Sequence, residues 1–277
     1  MQPARLLIAG GLLALLGTSA FAQVRLPPGF VALRSVDPSI RQEMRYAGRD
    51  NFTGRPLPGY DRNECLLRRE AALALKRVQA DLTARGFSLK VYDCYRPTRA
   101  VAAMARWAAD PNARPDTSRF YPGLNKRNLF ALGYIASHSA HSRGVAVDLT
   151  IVPGGVSQTP PYNPAAHYGS CTGDARAPDD SVDMGTGFDC FSVKSRTRSA
   201  AVTPEQRKHR ELLVQTMARH GFRNYAREWW HFSYRAANPG SGVRFSRQIA
   251  CSRGEARRCL ERPPRISLRL IRVTVVC

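Results

Sequence analysis

Residues 139–151 read SAHSRGVAVDLTI, and the second half of this run, from Val145 to Ile151, has the character of a β-strand interrupted only by Asp148. An aspartate inside such an apolar run needs a reason, because a buried carboxylate is costly unless something pairs with it. His141 lies seven residues before Asp148. An odd offset would put the two side chains on opposite faces of a single strand, so the chain must turn between them. Gly144 is the residue that permits the turn.

A second segment, Glu228-Trp229-Trp230-His231, again sets an imidazole beside a carboxylate in an apolar setting. Singly, a histidine near a strand reads as a hydrogen-bonded structural residue, and a glutamate before two tryptophans as a solvated surface group. Together the two segments supply the parts of a hydrolytic zinc site, in which three imidazole or carboxylate ligands leave a fourth position open to water. His141, Asp148 and His231 are the expected ligands, and Glu228 is close enough in sequence to His231 to reach the attacking water. His138, His167, His209 and His220 lack such neighbours and read as ordinary surface or structural residues, with His167 kept in view in case the insertion folds over the site.

Working outward, apolar positions at Leu67, Ala71, Leu75, Val78 and Leu82 predict an amphipathic helix over 66–85 that stops at Gly86. Residues 88–94 alternate as a strand, Tyr95-Arg96-Pro97 breaks it, and a second helix is expected from about 98 to 109. Thr203-Pro204-Glu205-Gln206 opens another helix with a capping box, ended by Gly221, and residues 225–234 return as an aromatic-rich segment. Residues 23–60 read as a loop-rich lead-in with one short strand. Residues 152–183, rich in Pro, Gly, Ser and Asp, are too long for an idle connection and read as a lid or a mobile insertion. The pattern predicts an α+β fold with a mainly antiparallel central sheet, flanking helices and the metal on one sheet face.

The chain has 277 residues, enough for one domain with appendages. Arg5, the apolar run 6–16 and Ala20-Phe21-Ala22 form a signal-peptide pattern over 1–22; the run is shorter than the roughly 20 residues a membrane span needs. The expected organisation is a catalytic domain over 23–238, containing the insertion at about 152–183, and a basic, cysteine-containing tail over 239–277. Export, with a periplasmic destination, places all seven cysteines in an oxidising compartment, and sequence neighbourhood suggests the pairs Cys65–Cys94, Cys171–Cys190 and Cys251–Cys259. The formal charge of +21 comes mainly from scattered arginines without a nucleic-acid motif, so anionic cell-envelope material is the expected neighbour and DNA or RNA is not.

The run S-x-H-x-x-G-x-A-x-D from Ser139 to Asp148, with E-x-W-H at Glu228, Trp230 and His231, resembles the zinc D,D-peptidases of the D-alanyl-D-alanine dipeptidase type. Tyr46 with Asn51-Phe52-Thr53-Gly54, the run Tyr95-Arg96-Pro97-Thr98-Arg99-Ala100-Val101, and Met184-Gly185 followed by Phe188-Asp189 resemble that family in the same order. The resemblance implies one zinc ion on His141, Asp148 and His231, Glu228 as the general base, and Arg96 stabilising the oxyanion. It further implies Ser139, Asp189 and Tyr46 as contacts to a small D-amino-acid dipeptide, with Asp189 holding the free ammonium group. Arg96 could instead brace the turn before Pro97, and Asp189 could cap a helix or turn. Ala140 departs from the family, where a second serine is usual. Two rival readings remain: a D,D-carboxypeptidase acting on peptidoglycan stem peptides, and a non-catalytic zinc-containing module that binds cell-wall peptides.

Overall fold

A computed structural model describes residues 26–155 and 159–235. In chain order these form β1 (Phe30–Ala32), α1 (Leu33–Val36), β2 (Arg41–Gln42), β3 (Leu66–Arg68), α2 (Arg69–Thr83), β4 (Phe87–Asp93), α3 (Thr98–Ala109), β5 (Ala146–Pro153), α4 (Pro204–Arg219), β6 (Phe222–Tyr225) and β7 (Glu228–Tyr234). The five-stranded sheet has the order β2-β4-β5-β7-β6, and β1 pairs with β3 separately. Only the two-residue β2 runs parallel to its neighbour; the other pairs in that sheet are antiparallel. The fold is α+β, as the sequence pattern predicts.

β5 is the middle strand, and Ala146 to Val152 are all buried, which accounts for its unbroken apolar run. On one side of the sheet, α2 contributes Leu75, Val78 and Leu82 and α4 contributes Leu213 and Met217 to a core shared with Leu89, Val91, Leu149, Ile151 and Phe232. A second apolar cluster gathers α3, through Ala100, Met104 and Trp107, with Tyr46, Phe52, Leu57, Phe120 and Phe191. Helices α3 and α4 begin where the sequence signals do. Thr203 and Gln206 form the reciprocal capping box of α4 with Pro204 behind the cap, and Gly221 follows with φ 88°.

Two local expectations are corrected. The helix expected from Leu66 starts at Arg69, because residues 66–68 are strand β3. Its extended backbone is fixed by pairing with β1, by the Tyr95 amide donating to the Leu66 carbonyl at 3.0 Å, and by the neighbouring Cys65–Cys94 disulfide. The lead-in holds two short strands and the four-residue α1 rather than one strand.

The insertion lacks regular structure over its described residues 159–183 but is fastened down. Lys90, buried on β4, reaches Asp179 and Asp180 at 2.5 Å, Arg45 pairs with Asp179 at 2.7 Å, and Arg41 pairs with Asp180. Cys171 is bonded to Cys190. The expected signal segment, the tail and the Cys251–Cys259 pair lie outside the described residues.

Between Ala140–Arg143, a single 3₁₀ turn, and β5, Gly144 takes φ 71°, the left-handed turn that the odd His141–Asp148 offset demands. A β-carbon there would stand 2.3 Å from the Phe30 ring. Gly144→Ala should therefore lower unfolding stability by about 2–4 kcal/mol, combining the left-handed penalty with overpacking. Urea denaturation of the variant beside the parent checks this; equal midpoints would contradict it.

Candidate active site

The sheet register assembles the centre. Asp148 on β5 is paired with Asp93 on β4 and with His231 on β7, so these three residues stand in a row across three adjacent strands. His141 enters from the 3₁₀ turn just before β5, where its carbonyl accepts the Arg96 amide at 3.2 Å. Its Nε2 lies 3.1 Å from His231 Nδ1 and 3.3 Å from Asp148 Oδ1, and His231 Nδ1 lies 3.0 Å from the same oxygen. The three residues expected from sequence as ligands are thus brought together.

The proton positions follow from the partners. His141 Nδ1 stands 2.7 Å from the Cys94 carbonyl, which can only accept, so Nδ1 carries the hydrogen and Nε2 presents a lone pair to the centre. Burial disfavours an ionised Asp148, yet the two imidazoles outweigh it and hold the carboxyl well below the usual range. Burial also pushes the His231 imidazole below its ordinary value, keeping it neutral. His141 Nε2, Asp148 Oδ1 and His231 Nδ1 converge on one point as candidate ligand atoms. Tetrahedral nitrogen and oxygen ligands about 2.0–2.1 Å from a zinc ion stand about 3.3–3.4 Å apart, close to the spacings found here. The donor set, two imidazoles and a carboxylate, fits a divalent transition-metal cation.

These atoms line a cavity of about 270 Å³ that also takes in Tyr46, Arg96, Ser139, Asp189 and Glu228. Asp148, Asp189 and Glu228 face it, against Arg96 as its one lysine or arginine. The cavity is acidic inside a chain of charge +21, so it suits cationic occupants rather than an anionic polymer. Glu228 opens β7, and its Oε2 is 4.0 Å from His231 Nδ1. Burial, then the charges of Asp148 and Asp189, push its carboxyl well above the usual range.

Arg96 is held in place on several sides. Its Nε donates to Asp93 at 2.9 Å, its Nη2 reaches Asp148 at 3.3 Å, and its guanidinium lies 5.0 Å from the Tyr46 ring centroid. The bond to Asp93 spans the turn before Pro97, and the reach to Asp148 also places Arg96 among the site carboxylates. Tyr46 donates its hydroxyl to Asp189 at 2.8 Å. Asp189 caps no described helix; it is buried, has φ 56°, and burial followed by the Asp148 charge pushes its carboxyl up to about 8. Ser139 lines the cavity but also caps the 3₁₀ turn, accepting the His141 amide at 3.2 Å.

Sequence reasoning misses two supporting residues. Asp93 is fully buried, accepts from Tyr60 at 2.6 Å as well as from Arg96, and stands 3.4 Å from His141 Nδ1. Its place next to Cys94 in the strand before Arg96 was the available signal. Asn224 on β6 donates to the carbonyls of both Glu228 and His231 at 3.0 Å, fastening the two ends of that segment, and no spacing rule announces it. Tyr134, Tyr225 and Trp230 also line the cavity, as does His138, which the sequence set aside. His209 lies instead against the Asp183 carbonyl and His220 against Asp81.

The family described as D-ala-D-ala dipeptidase matches residues 27–158 and 176–252, most of the chain. The chain belongs to this family. It is 33% identical to a D-alanyl-D-alanine dipeptidase of Enterococcus faecalis over 204 residues, covering 74% of this chain and 90% of that protein. It is 35% identical to one of Streptomyces coelicolor over 194 residues, covering 70% and 85%. It is 29% identical to one of Escherichia coli over 202 residues, covering 73% and 82%. Membership of this dipeptidase family makes the chain a peptidase, and His141, Asp148 and His231 are grouped closely enough to hold a metal ion. The stretch 159–175 is left outside the family match. Among the described residues no helix is long and apolar enough to cross a membrane.

Asp93→Asn keeps the shape of the side chain but removes the charge that fixes Arg96 beside His141. Peptidase kcat/KM should fall about 10–100-fold with the thermal midpoint within a few degrees, as for other residues that orient a metal site. Unchanged kinetics would remove Asp93 from the site.

Proposed function

We propose that the chain is an exported, zinc-dependent dipeptidase that hydrolyses D-alanyl-D-alanine to free D-alanine in cell-wall peptide metabolism. The observation that carries this reading is the convergence of three ligand atoms, His141 Nε2, Asp148 Oδ1 and His231 Nδ1, beside the buried carboxyl of Glu228. Family membership and the names of the relatives support the substrate. The N-terminal signal pattern supports export to the periplasm, and the basic composition of the chain suits anionic envelope material.

His141, Asp148 and His231 would hold one zinc ion, which when bound polarises the scissile carbonyl and lowers the pKa of water to about 7. Glu228 takes a proton from the attacking water and passes it to the leaving amine, and its raised affinity for protons suits the second transfer. Arg96 faces the negative charge that develops on the carbonyl oxygen, held by Asp93 so that it does not need to reorganise. Asp189, oriented by Tyr46, accepts the substrate ammonium group, and Ser139 lies where a hydroxyl can reach the substrate. A carboxylate buried in the wall is satisfied by a free amine and left unpaired by an acylated one, which favours the dipeptide over a stem peptide.

The test is release of D-alanine from D-Ala-D-Ala by the purified mature protein, with and without a chelator and added zinc, beside an acylated peptide ending in D-Ala-D-Ala. The expected result is chelator-sensitive cleavage of the free dipeptide alone, restored by zinc. Preferential cleavage of the acylated peptide would make the enzyme a carboxypeptidase, and cleavage of neither would favour a binding module. Glu228→Ala should lower kcat by about 10²–10⁴-fold while zinc stays bound at one per chain; turnover at the parent rate would rule out its role as base.

A further inference from the structure

Asp189 sits on a short segment tied on both flanks to a part of the chain that the family match omits. The Gly187 amide donates to the Cys171 carbonyl at 2.9 Å, and Cys190 is disulfide-bonded to Cys171. The Phe191 amide donates to the Phe120 carbonyl at 2.7 Å, and the Cys171 amide donates to the Arg119 carbonyl at 2.9 Å. Cys171 therefore grips the chain on each side of Phe188-Asp189 and is itself seated on Arg119. Both cysteines are buried.

Arg119 is in turn embraced by the insertion. Its guanidinium lies 5.7 Å from the ring centroid of Tyr162 and 5.3 Å from that of Tyr168, with Phe120 at 4.2 Å, and the two tyrosines stack on each other. Asp50 completes its surroundings through a 2.7 Å ion pair. Tyr162, Tyr168 and Cys171 all fall within 159–175, the stretch outside the family match.

Asp189 itself has φ 56°. A left-handed aspartate is uncommon, and here its flanks at Gly187 and Cys190 are both tied to Cys171. Freed of those flanks, residue 189 would relax towards ordinary backbone angles, and its carboxylate would turn away from the Tyr46 hydroxyl and the cavity. We propose that the insertion is a positioning clamp: through Tyr162, Tyr168, Arg119 and the Cys171–Cys190 disulfide it holds Asp189 in place, and so sets the affinity of the site for substrates with a free α-ammonium group. This rests on the reading of Asp189 as the ammonium anchor. It gives the insertion, none of whose described residues lines the cavity, a role in its specificity.

The test is a double-mutant cycle on the zinc-loaded mature protein, combining Cys171→Ser/Cys190→Ser with Asp189→Asn. The cysteine pair alone should raise KM for D-Ala-D-Ala about tenfold, with kcat within twofold and zinc still one per chain. In the Asp189→Asn background, where KM is already raised, the same pair should add less than twofold. A cysteine effect of equal size in both backgrounds, or none in the parent while Asp189→Asn raises KM, overturns the clamp and leaves the anchor standing. An Asp189→Asn variant with parental KM overturns the anchor and the clamp with it. If the serine pair does not fold, Cys171→Ala/Cys190→Val, which fills the space without the bond, goes through the same cycle. Tyr162→Leu/Tyr168→Leu, which leaves both cysteines intact, should move KM in the same direction by a smaller factor.

Discussion

The structure turns on one buried charge, the carboxylate of Asp148 in the middle strand of the sheet. Taking such a group out of water costs several kcal/mol unless its surroundings compensate. Here the compensation comes from His141, His231 and Arg96, each delivered by a different piece of chain. His231 needs the β5–β7 register, His141 needs the left-handed turn at Gly144, and Arg96 needs the break after β4 that Pro97 enforces. Slipping any of these by one residue would strand the charge, so the site and the fold specify one another.

The Cys65–Cys94 disulfide has a place in this arrangement that its sequence spacing does not suggest. Cys94 supplies the carbonyl that sets the tautomer of His141, and its bond to Cys65 fastens that backbone to the base of β3. The neighbouring Asp93 holds Arg96. The two residues Asp93 and Cys94 at the end of β4 thus govern the protonation of one donor and the aim of the guanidinium. The cavity that results is acidic within a strongly basic chain, so bulk charge points away from the chemistry of the site. A metal cation and an ammonium group are the occupants that its carboxylates call for.

What could be read from the sequence was whatever repeats within one element or clusters within one short run. The period of α2, the capping box of α4, the apolar run of β5 and the pairing of imidazole with carboxylate in two segments are all local, and the structure bears them out. The family resemblance added Arg96, Tyr46 and Asp189, which the structure gathers into the same cavity. Asp93 and Asn224 escaped because they act through hydrogen bonds to segments distant in sequence, and such bonds leave no periodicity. β3 escaped because Leu67 fits a helical period as well as a strand, and only the contacts with β1 and Tyr95 decide between them. The composition of the insertion reads as a lid or a mobile insertion, and no local pattern announces that its acidic residues meet buried Lys90 and Arg45.

The most direct test of the centre is X-ray absorption at the zinc edge on the mature protein loaded with one equivalent of the metal. The account predicts a first shell of nitrogen and oxygen alone, with the multiple-scattering signature of two imidazoles, and loss of that signature's second imidazole in His231→Ala. A sulfur scatterer in the shell, or an unchanged spectrum in that variant, would contradict it.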